Sequence, residues 1–309
     1  MDWLNTLVQP RRCHLCGQRI WLGVYHVYQP RDKAKPGLVV CASCERTRPH
    51  CIACGVPVGR VTPNAGEPVF CDTCLAHLPR CVACGRPIVG AVYIAQGDDR
   101  RPFCEDCRQD RARCDICGVP VGAGSYRLHD GRYICARCHQ TAVYDDATAQ
   151  ALYQRVISVV EGALGLTLSL RPGLALVDRD QLRALLSQQE PGLANDPDKV
   201  LGLFMRRGRR RAIYVESGLP YILLTIVTAH EYAHAWQGEN CPLLKDPLLR
   251  EGFAEWVAYK TLEALGATKK MAQMRRRTDL YGQGLEHVLE IEGRGGPAAV
   301  VYACRTSHQ

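Results

Sequence analysis

The alternation of apolar and polar positions changes character near residue 141. Beyond it the chain reads as ordinary core-forming elements. Ala151, Leu152, Val156, Val159, Val160 and Ala163 recur at helical spacing, so residues 145–162 are expected to form a helix with one buried face. Residues 174–177 are a buried-strand candidate, and Asp180 can cap a helix over 182–186. Pro191, Gly192, Asn195 and Pro197 break 188–199 into a loop. Strand-like stretches at 201–205 and 212–215 flank the arginine-rich run 206–211. That run is most simply a solvated hairpin tip, and its other reading is a dock for an acidic partner. The apolar run 221–228 opens a helix, with Pro220 suited to its first turn and Gly238 offering a stop. A second helix is capped by Asp246, begins with Pro247 and ends at Gly266. A third follows Thr268 and carries Arg275, Arg276 and Arg277 on a solvated face.

Before residue 141 the apolar positions are too few to build a core, and cysteine replaces them. Of 18 cysteines, sixteen form Cys-x-x-Cys pairs: Cys13/Cys16, Cys41/Cys44, Cys51/Cys54, Cys71/Cys74, Cys81/Cys84, Cys104/Cys107, Cys114/Cys117 and Cys135/Cys138. Odd pairs are followed by Gly17, Gly55, Gly85 and Gly118; even pairs are preceded by the strand-like Val40, Phe70, Phe103 and Ile134. Six residues separate each even pair from the next odd one, while 16 to 24 lie within a unit. This is a fourfold repeat of knuckle, hairpin and knuckle. Two such turns present four thiolates to one zinc. The constant spacer favours sequential pairing within a unit, with a cross-braced arrangement as the alternative. Disulfides do not suit adjacent Cys-x-x-Cys pairs, and residues 1–8 are too short for a signal peptide, so a reducing, cytoplasmic location is expected. No stretch reaches the length of a membrane span.

The formal net charge of +8 first suggests a nucleic-acid partner. It counts cysteines as neutral, however. A zinc ion held by four thiolates carries two net negative charges, so four such sites cancel the whole excess. With few aromatics in the modules, nucleic-acid binding is not favoured.

Residues 230–234 read His-Glu-Tyr-Ala-His. On a helix His230 and His234 lie one turn apart on one face, where two imidazoles can share a zinc. Glu231 stands where it can serve as general base on a water at the open fourth position. The third ligand comes from the second helix, with sixteen residues between His234 and Glu251, where Glu251 and Glu255 share a face. Both cannot coordinate without displacing the water. Gly252 beside Glu251 lets the helices approach closely, which selects Glu251 as ligand and leaves Glu255 to accept an imidazole N–H. Tyr281 is the preferred donor to the developing oxyanion, ahead of His287 and Tyr302. Cys241 and Cys304 are expected to be free thiols.

The string 212–236, with Gly218-Leu219-Pro220 and then HEYAHAW, resembles the plant LIM-domain zinc peptidases of the DA-one family, which restrict organ growth and are described as ubiquitin-activated. Further matches are 138–143 leading into Ala151-Leu152-Tyr153, Glu161-Gly162, the strand and turn at 174–182, and Tyr281-Gly-x-Gly. The resemblance spans residues 114–302. It implies a zinc peptidase cleaving selected intracellular proteins beside LIM-like modules, and Glu251-Gly252 with Glu255 matches the gluzincin pattern. The plant proteins carry ubiquitin-interacting helices before their zinc module; no such helix fits before Cys13, so ubiquitin is implied by the resemblance alone.

The expected protein is therefore α+β. Four small β-rich zinc modules, LIM-like or zinc-ribbon-like, occupy 1–141 (13–44, 51–74, 81–107 and 114–138). A mainly α gluzincin-type metallopeptidase domain with a small sheet occupies 142–309. Four structural zincs and one catalytic zinc follow. The modules are expected to serve as a protein-interaction platform. The competing function is a zinc-finger scaffold whose metal site does not turn over.

Overall fold

The computed structural model describes residues 11–21, 24–29, 37–59, 68–95, 100–188 and 200–307. Within it the sixteen paired cysteines gather into four clusters, each made of two successive pairs. Sequential pairing is therefore the observed one. Each odd pair is a tight knuckle. The N–H of the first cysteine donates to the carbonyl five residues on (2.9 Å in all four), and the N–H of the following glycine returns to that cysteine's carbonyl. Gly17, Gly55, Gly85 and Gly118 hold φ of 71–74° there, which only glycine adopts freely.

The even pairs differ from the second knuckle that the repeat suggests. Each opens a short helix with its first cysteine as N-cap: α1 (Ala42–Thr47), α2 (Asp72–Ala76), α3 (Glu105–Asp110) and α4 (Ala136–Gln140). The thiolate pair thus sits where unpaired helix N–H groups point, and Cys44 and Cys74 donate their N–H to the capping sulfurs of Cys41 and Cys71. Two-stranded antiparallel ribbons supply the rest: β1 (Arg11–Arg12) with β2 (Arg19–Ile20), β3 (Tyr25–Tyr28) with β4 (Leu38–Cys41), β5 (Tyr93–Ile94) with β6 (Pro102–Phe103), and β7 (Tyr126–Arg127) with β8 (Tyr133–Ile134).

The repeat ends near residue 141, but the packing divides elsewhere. One compact unit comprises Met1–Ile94 and Arg100–Arg111; the other comprises Ala95–Asp99 and Ala112–Gln309, and so includes the fourth module. Three features tie that module down. Strand β9 (Ala142–Val143) pairs with β13 (Leu219–Pro220), directly before the histidine helix. Ile116 packs against the main core. Arg132, only 2% exposed, contacts Asp130 (2.8 Å), Glu216 (3.1 Å) and the Ser217 carbonyl (2.9 Å), while Arg179 reaches both Glu216 (2.9 Å) and Asp115 (2.7 Å). Burial raises the Glu216 pKa despite the two arginines beside it. Burial also opposes charge on Asp130, yet Arg132 and the Arg179 N–H prevail and hold it down to about 2. Breaking one member would leave a buried charge unpaired, so the cluster specifies one docking position.

In the rest of this unit, α5 (Asp146–Leu164) is capped by Asp145 and by Gly165 (φ 67°), and its last residue, Leu164, lies two beyond the expected 162. A three-stranded sheet runs in the order β10 (Gly173–Val177), β12 (Arg210–Glu216), β11 (Gly202–Arg207), with β10 parallel and β11 antiparallel to β12. Helix α6 (Arg179–Leu186) covers one face; its cap is Asp178 rather than Asp180, because Asp178 and Gln181 close a reciprocal capping box. Of the loop expected at 188–199, residues 189–199 lie outside the described ones. The hairpin between β11 and β12 turns in two residues, with Gly208 (φ 58°) first, as a type II′ turn requires.

The core is helical. Helix α7 (Tyr221–Asn240) packs against α8 (Pro247–Ala264), which packs in turn on α10 (Leu280–Thr306), a helix broken at Gly295 and Gly296. Trp236 stacks on Phe253 (5.2 Å between centroids), and Phe253 meets Trp256. Gly238 does not stop α7; it is exposed within the helix, which continues to Asn240. Helix α9 (Thr268–Met274) ends before the arginine run. The run is solvated as expected, with all three arginines exposed, but it follows the helix rather than lying on it, and Arg275 and Arg277 are tethered. They pair with Glu286 (2.8 Å), and with Asp279 (2.8 Å) and Glu255 (3.4 Å), because the chain must turn back there toward α10.

Helices α8 and α10 touch through glycines. A Cβ on Gly252 would lie 2.3 Å from the Gly284 carbonyl oxygen. Gly252→Ala is expected to lower the unfolding free energy by about 1–3 kcal/mol in urea titrations. Gly238 has nothing within 4 Å of an added Cβ. Gly238→Ala should instead stabilise by about 0.5–1 kcal/mol, as for an exposed helix interior.

Candidate metal centre

Helix α7 is apolar nearly all round, because it is buried between the sheet, α5 and α8. Burial of this kind fixes its rotation, and with it the direction of His230 and His234. Their Nε2 atoms lie 3.0 Å apart, and each lies 3.4 Å from Glu251 Oε2 on α8. Donor atoms about 2.0–2.1 Å from a tetrahedral ion are separated by about 3.3 Å. The three atoms therefore fit one zinc ion. The four cysteine clusters fit as well. Sulfurs of different pairs approach to 3.7–4.0 Å, matching the edge of about 3.8 Å expected for thiolates at about 2.3 Å from zinc, and far from a disulfide at about 2.05 Å. Burial, then neighbouring sulfurs, push Cys44, Cys74 and Cys107 up to about 12. Four sulfurs in such a space carry charge together only around a cation.

The imidazoles are held from behind. His230 Nδ1 faces Glu255 Oε1 at 3.4 Å, and Arg277 braces that carboxylate. His234 Nδ1 donates to Gln237 Oε1 at 2.9 Å, and Gln237 Nε2 donates to the Arg250 carbonyl at 2.9 Å. Both contacts leave the Nε2 atom of each ring turned toward Glu251. Burial disfavours a charged His230, but Glu251 and Glu255 outweigh it and raise its pKa to about 10. Burial would likewise raise Glu251, and the two histidines instead hold it well below the usual carboxylate range. The site demands positive charge. Glu251 also accepts from Arg250 through its other oxygen (3.0 Å).

Glu231 is buried beside the pair, and its Oε2 accepts from the Phe204 N–H at 2.7 Å. The carbonyl of Leu201 faces β12, where it accepts from the Glu216 N–H. By alternation the backbone groups of Gly202, Phe204 and Arg206 point away from β12. Gly202 has to be glycine at this point: a Cβ would lie 2.4 Å from Val227 and 3.0 Å from Glu231 Cγ.

Tyr281 lies over the site, its ring 5.9 Å from that of His230 and under Arg277 at 4.8 Å. Burial, then the charge of Glu251, raise its pKa. His287 and Tyr302 are exposed, and among the described residues no hydrogen bond joins their side chains to the histidine pair. Cys241 is buried and turned toward Cys304 in the core rather than toward the histidines. Sequence reading missed Gln237, Gly202 and the Phe204 N–H. Gln237 alone carried a signal, since it follows His234 by three residues and so shares its face.

No family model matches the chain, and no solved structure matches it. Among characterised proteins it is similar to Protein DA1-related 2 of Arabidopsis thaliana (25% identical over 169 residues, 45% of this chain and 32% of the relative). It is also similar to Protein DA1 of the same plant (24% over 189 residues, 52% and 35%) and to LIM domain-containing protein HDR3 of Oryza sativa subsp. japonica (25% over 186 residues, 50% and 35%). The chain spans about a third of the length of the curated relatives it matches.

Protein purified without added metal is expected to carry between four and five zinc ions by elemental analysis, because an open three-ligand site loses its ion more readily than a closed one. Two or fewer would contradict the cluster geometry. Gln237→Leu should lower zinc affinity at the histidine site about 10–100-fold in chelator competition, with the cysteine sites unchanged.

Proposed function

We propose that this chain, a homologue of the DA1 and DA1-related proteins over about half its length, is a zinc-dependent endopeptidase of the gluzincin type that acts on intracellular proteins, with its cysteine modules as a protein-interaction platform. The observation that carries this reading is the convergence of His230, His234 and Glu251 with a buried carboxylate, Glu231. Zinc in that triad would polarise a peptide carbonyl and lower the pKa of water. The remaining work falls to the chain. Glu231 receives the proton of the attacking water on a carboxylate oxygen and hands it to the leaving amine nitrogen. Glu255 and Gln237 keep both imidazole rings in one orientation. Tyr281 donates its hydroxyl proton as a hydrogen bond to the developing oxyanion. The cysteine sites belong in a reducing compartment, which makes the cytoplasm the proposed location.

The test is digestion of a denatured protein mixture with and without a zinc chelator. Glu231→Gln should keep the fold and five zincs but lose about 10²–10⁴-fold in rate. Glu251→Gln should lack zinc at the histidine site, whereas Glu255→Gln should retain it and lose about 10–100-fold in affinity or activity. Cleavage by Glu231→Gln at the parent rate would refute the mechanism.

A further inference from the structure

Arg277 does more than close the turn between α9 and α10. Its Nε and Nη2 donate to Asp279 Oδ2 (3.2 and 2.8 Å), and Asp279 is the N-cap of α10, accepting the Gly282 N–H at 3.0 Å. That pair alone would hold the turn. The backbone closes with it: a Cβ on Gly282 would lie 2.1 Å from the Arg277 carbonyl oxygen, so glycine is required for the two segments to meet. The remaining nitrogen, Nη1, reaches Glu255 Oε1 at 3.4 Å, and the same oxygen faces His230 Nδ1 at 3.4 Å. The guanidinium also lies over the Tyr281 ring at 4.8 Å. One cation thus touches the carboxylate behind His230, the ring beside His230, and the cap of the helix that carries this ring.

Tyr281 needs such a hold. It stands in the first turn of α10, is 36% exposed, and its hydroxyl has no hydrogen bond among the described residues. The packing of its ring therefore decides where the hydroxyl points. His230 lies against that ring, 5.9 Å between centroids, and Arg277 covers it. A guanidinium suits the place, because its planar fork binds carboxylates at the edge while its face rests on an aromatic ring. An ammonium is a point charge and cannot serve all these partners at once.

Resting on the peptidase reading, we propose that Arg277 is a positioning residue for that reaction. It holds the Tyr281 ring and the carboxylate behind His230 as one unit, so that the oxyanion donor and the ligand histidine keep a fixed relation. Arg277 itself touches neither the substrate nor the water; it acts through Tyr281 and Glu255.

The test uses the full zinc-loaded chain, the variants Arg277→Gln and Tyr281→Phe, their combination, and a peptide cut in the digestion of denatured protein. At saturating zinc, Arg277→Gln should lower kcat about tenfold and leave KM within about twofold. In the Tyr281→Phe background the same change should cost less than about threefold in kcat, because the hydroxyl it positions is gone. Two readouts need no turnover. Zinc affinity at the histidine site should fall about tenfold in chelator competition. In a chain labelled with fluorotyrosine, the fluorine resonance missing from Tyr281→Phe reports this ring, and Arg277→Gln should move it most of the way to its position in the unfolded chain. Arg277→Lys keeps the charge without the fork and should fall between the parent and Arg277→Gln in each measurement. It carries the same test should Arg277→Gln fail to fold. Equal loss of kcat in both backgrounds, or a Tyr281 resonance that does not move, overturns the proposal. If the parent cleaves nothing while the resonance and the zinc affinity change as stated, Arg277 still holds ring and ligand together, and the peptidase reading falls.

Discussion

Everything at the histidine site depends on how closely three helices approach. A zinc ligand set tolerates errors of only a few tenths of an ångström, and the three side chains that could form one here come from α7 and α8. Glu251 reaches the Nε2 atoms at 3.4 Å because α8 is fixed on both sides. On one side Trp236 and Phe253 stack between α7 and α8. On the other, Gly252 and Gly284 let the backbone of α10 close to where no side chain fits. The residue beside the ligand is thus glycine because of α10, not because of α7. That differs from the simpler expectation that Gly252 relieves crowding between the two ligand helices.

The fourth cysteine module belongs to the same mechanical unit. It is joined by a strand pair immediately ahead of α7, by Ile116 in the core, and by buried arginines that bridge Asp115, Asp130 and Glu216. Such charges contribute little net stability when paired and cost much when unpaired. Their effect is registry. They place β12 and the start of α7 relative to a module whose own shape depends on its four sulfurs.

Charge also organises the face that carries the histidines. Glu231, Glu251 and Glu255 are each less than a tenth exposed, a density of buried carboxylate that two histidines alone do not balance. Arg250 and Arg277 approach from the rim, each bonded to one of the carboxylates. A divalent cation would complete the balance, and the orientation of both imidazoles suits one.

Much of this was legible in the sequence. The alternating cysteine pairs and their constant spacer marked four sites and their sequential pairing, because metal ligands must be near neighbours along a short chain. Helical periodicity placed His230 and His234 together, and Asp246-Pro247 marked the start of the helix that carries Glu251 and Glu255. Those are local properties, and local geometry determines them. Other features were decided only by tertiary contact. Gly238 did not end α7, since burial of the helix outweighed the preference of one exposed glycine. Asp178 took the cap from Asp180 because Gln181 could close the box, and Arg275 and Arg277 found carboxylates on the returning chain. Gln237, the Phe204 N–H and the attachment of the fourth module depend on residues far apart in sequence meeting at hydrogen-bond distance. No pattern along the chain encodes such a meeting; only packing brings it about.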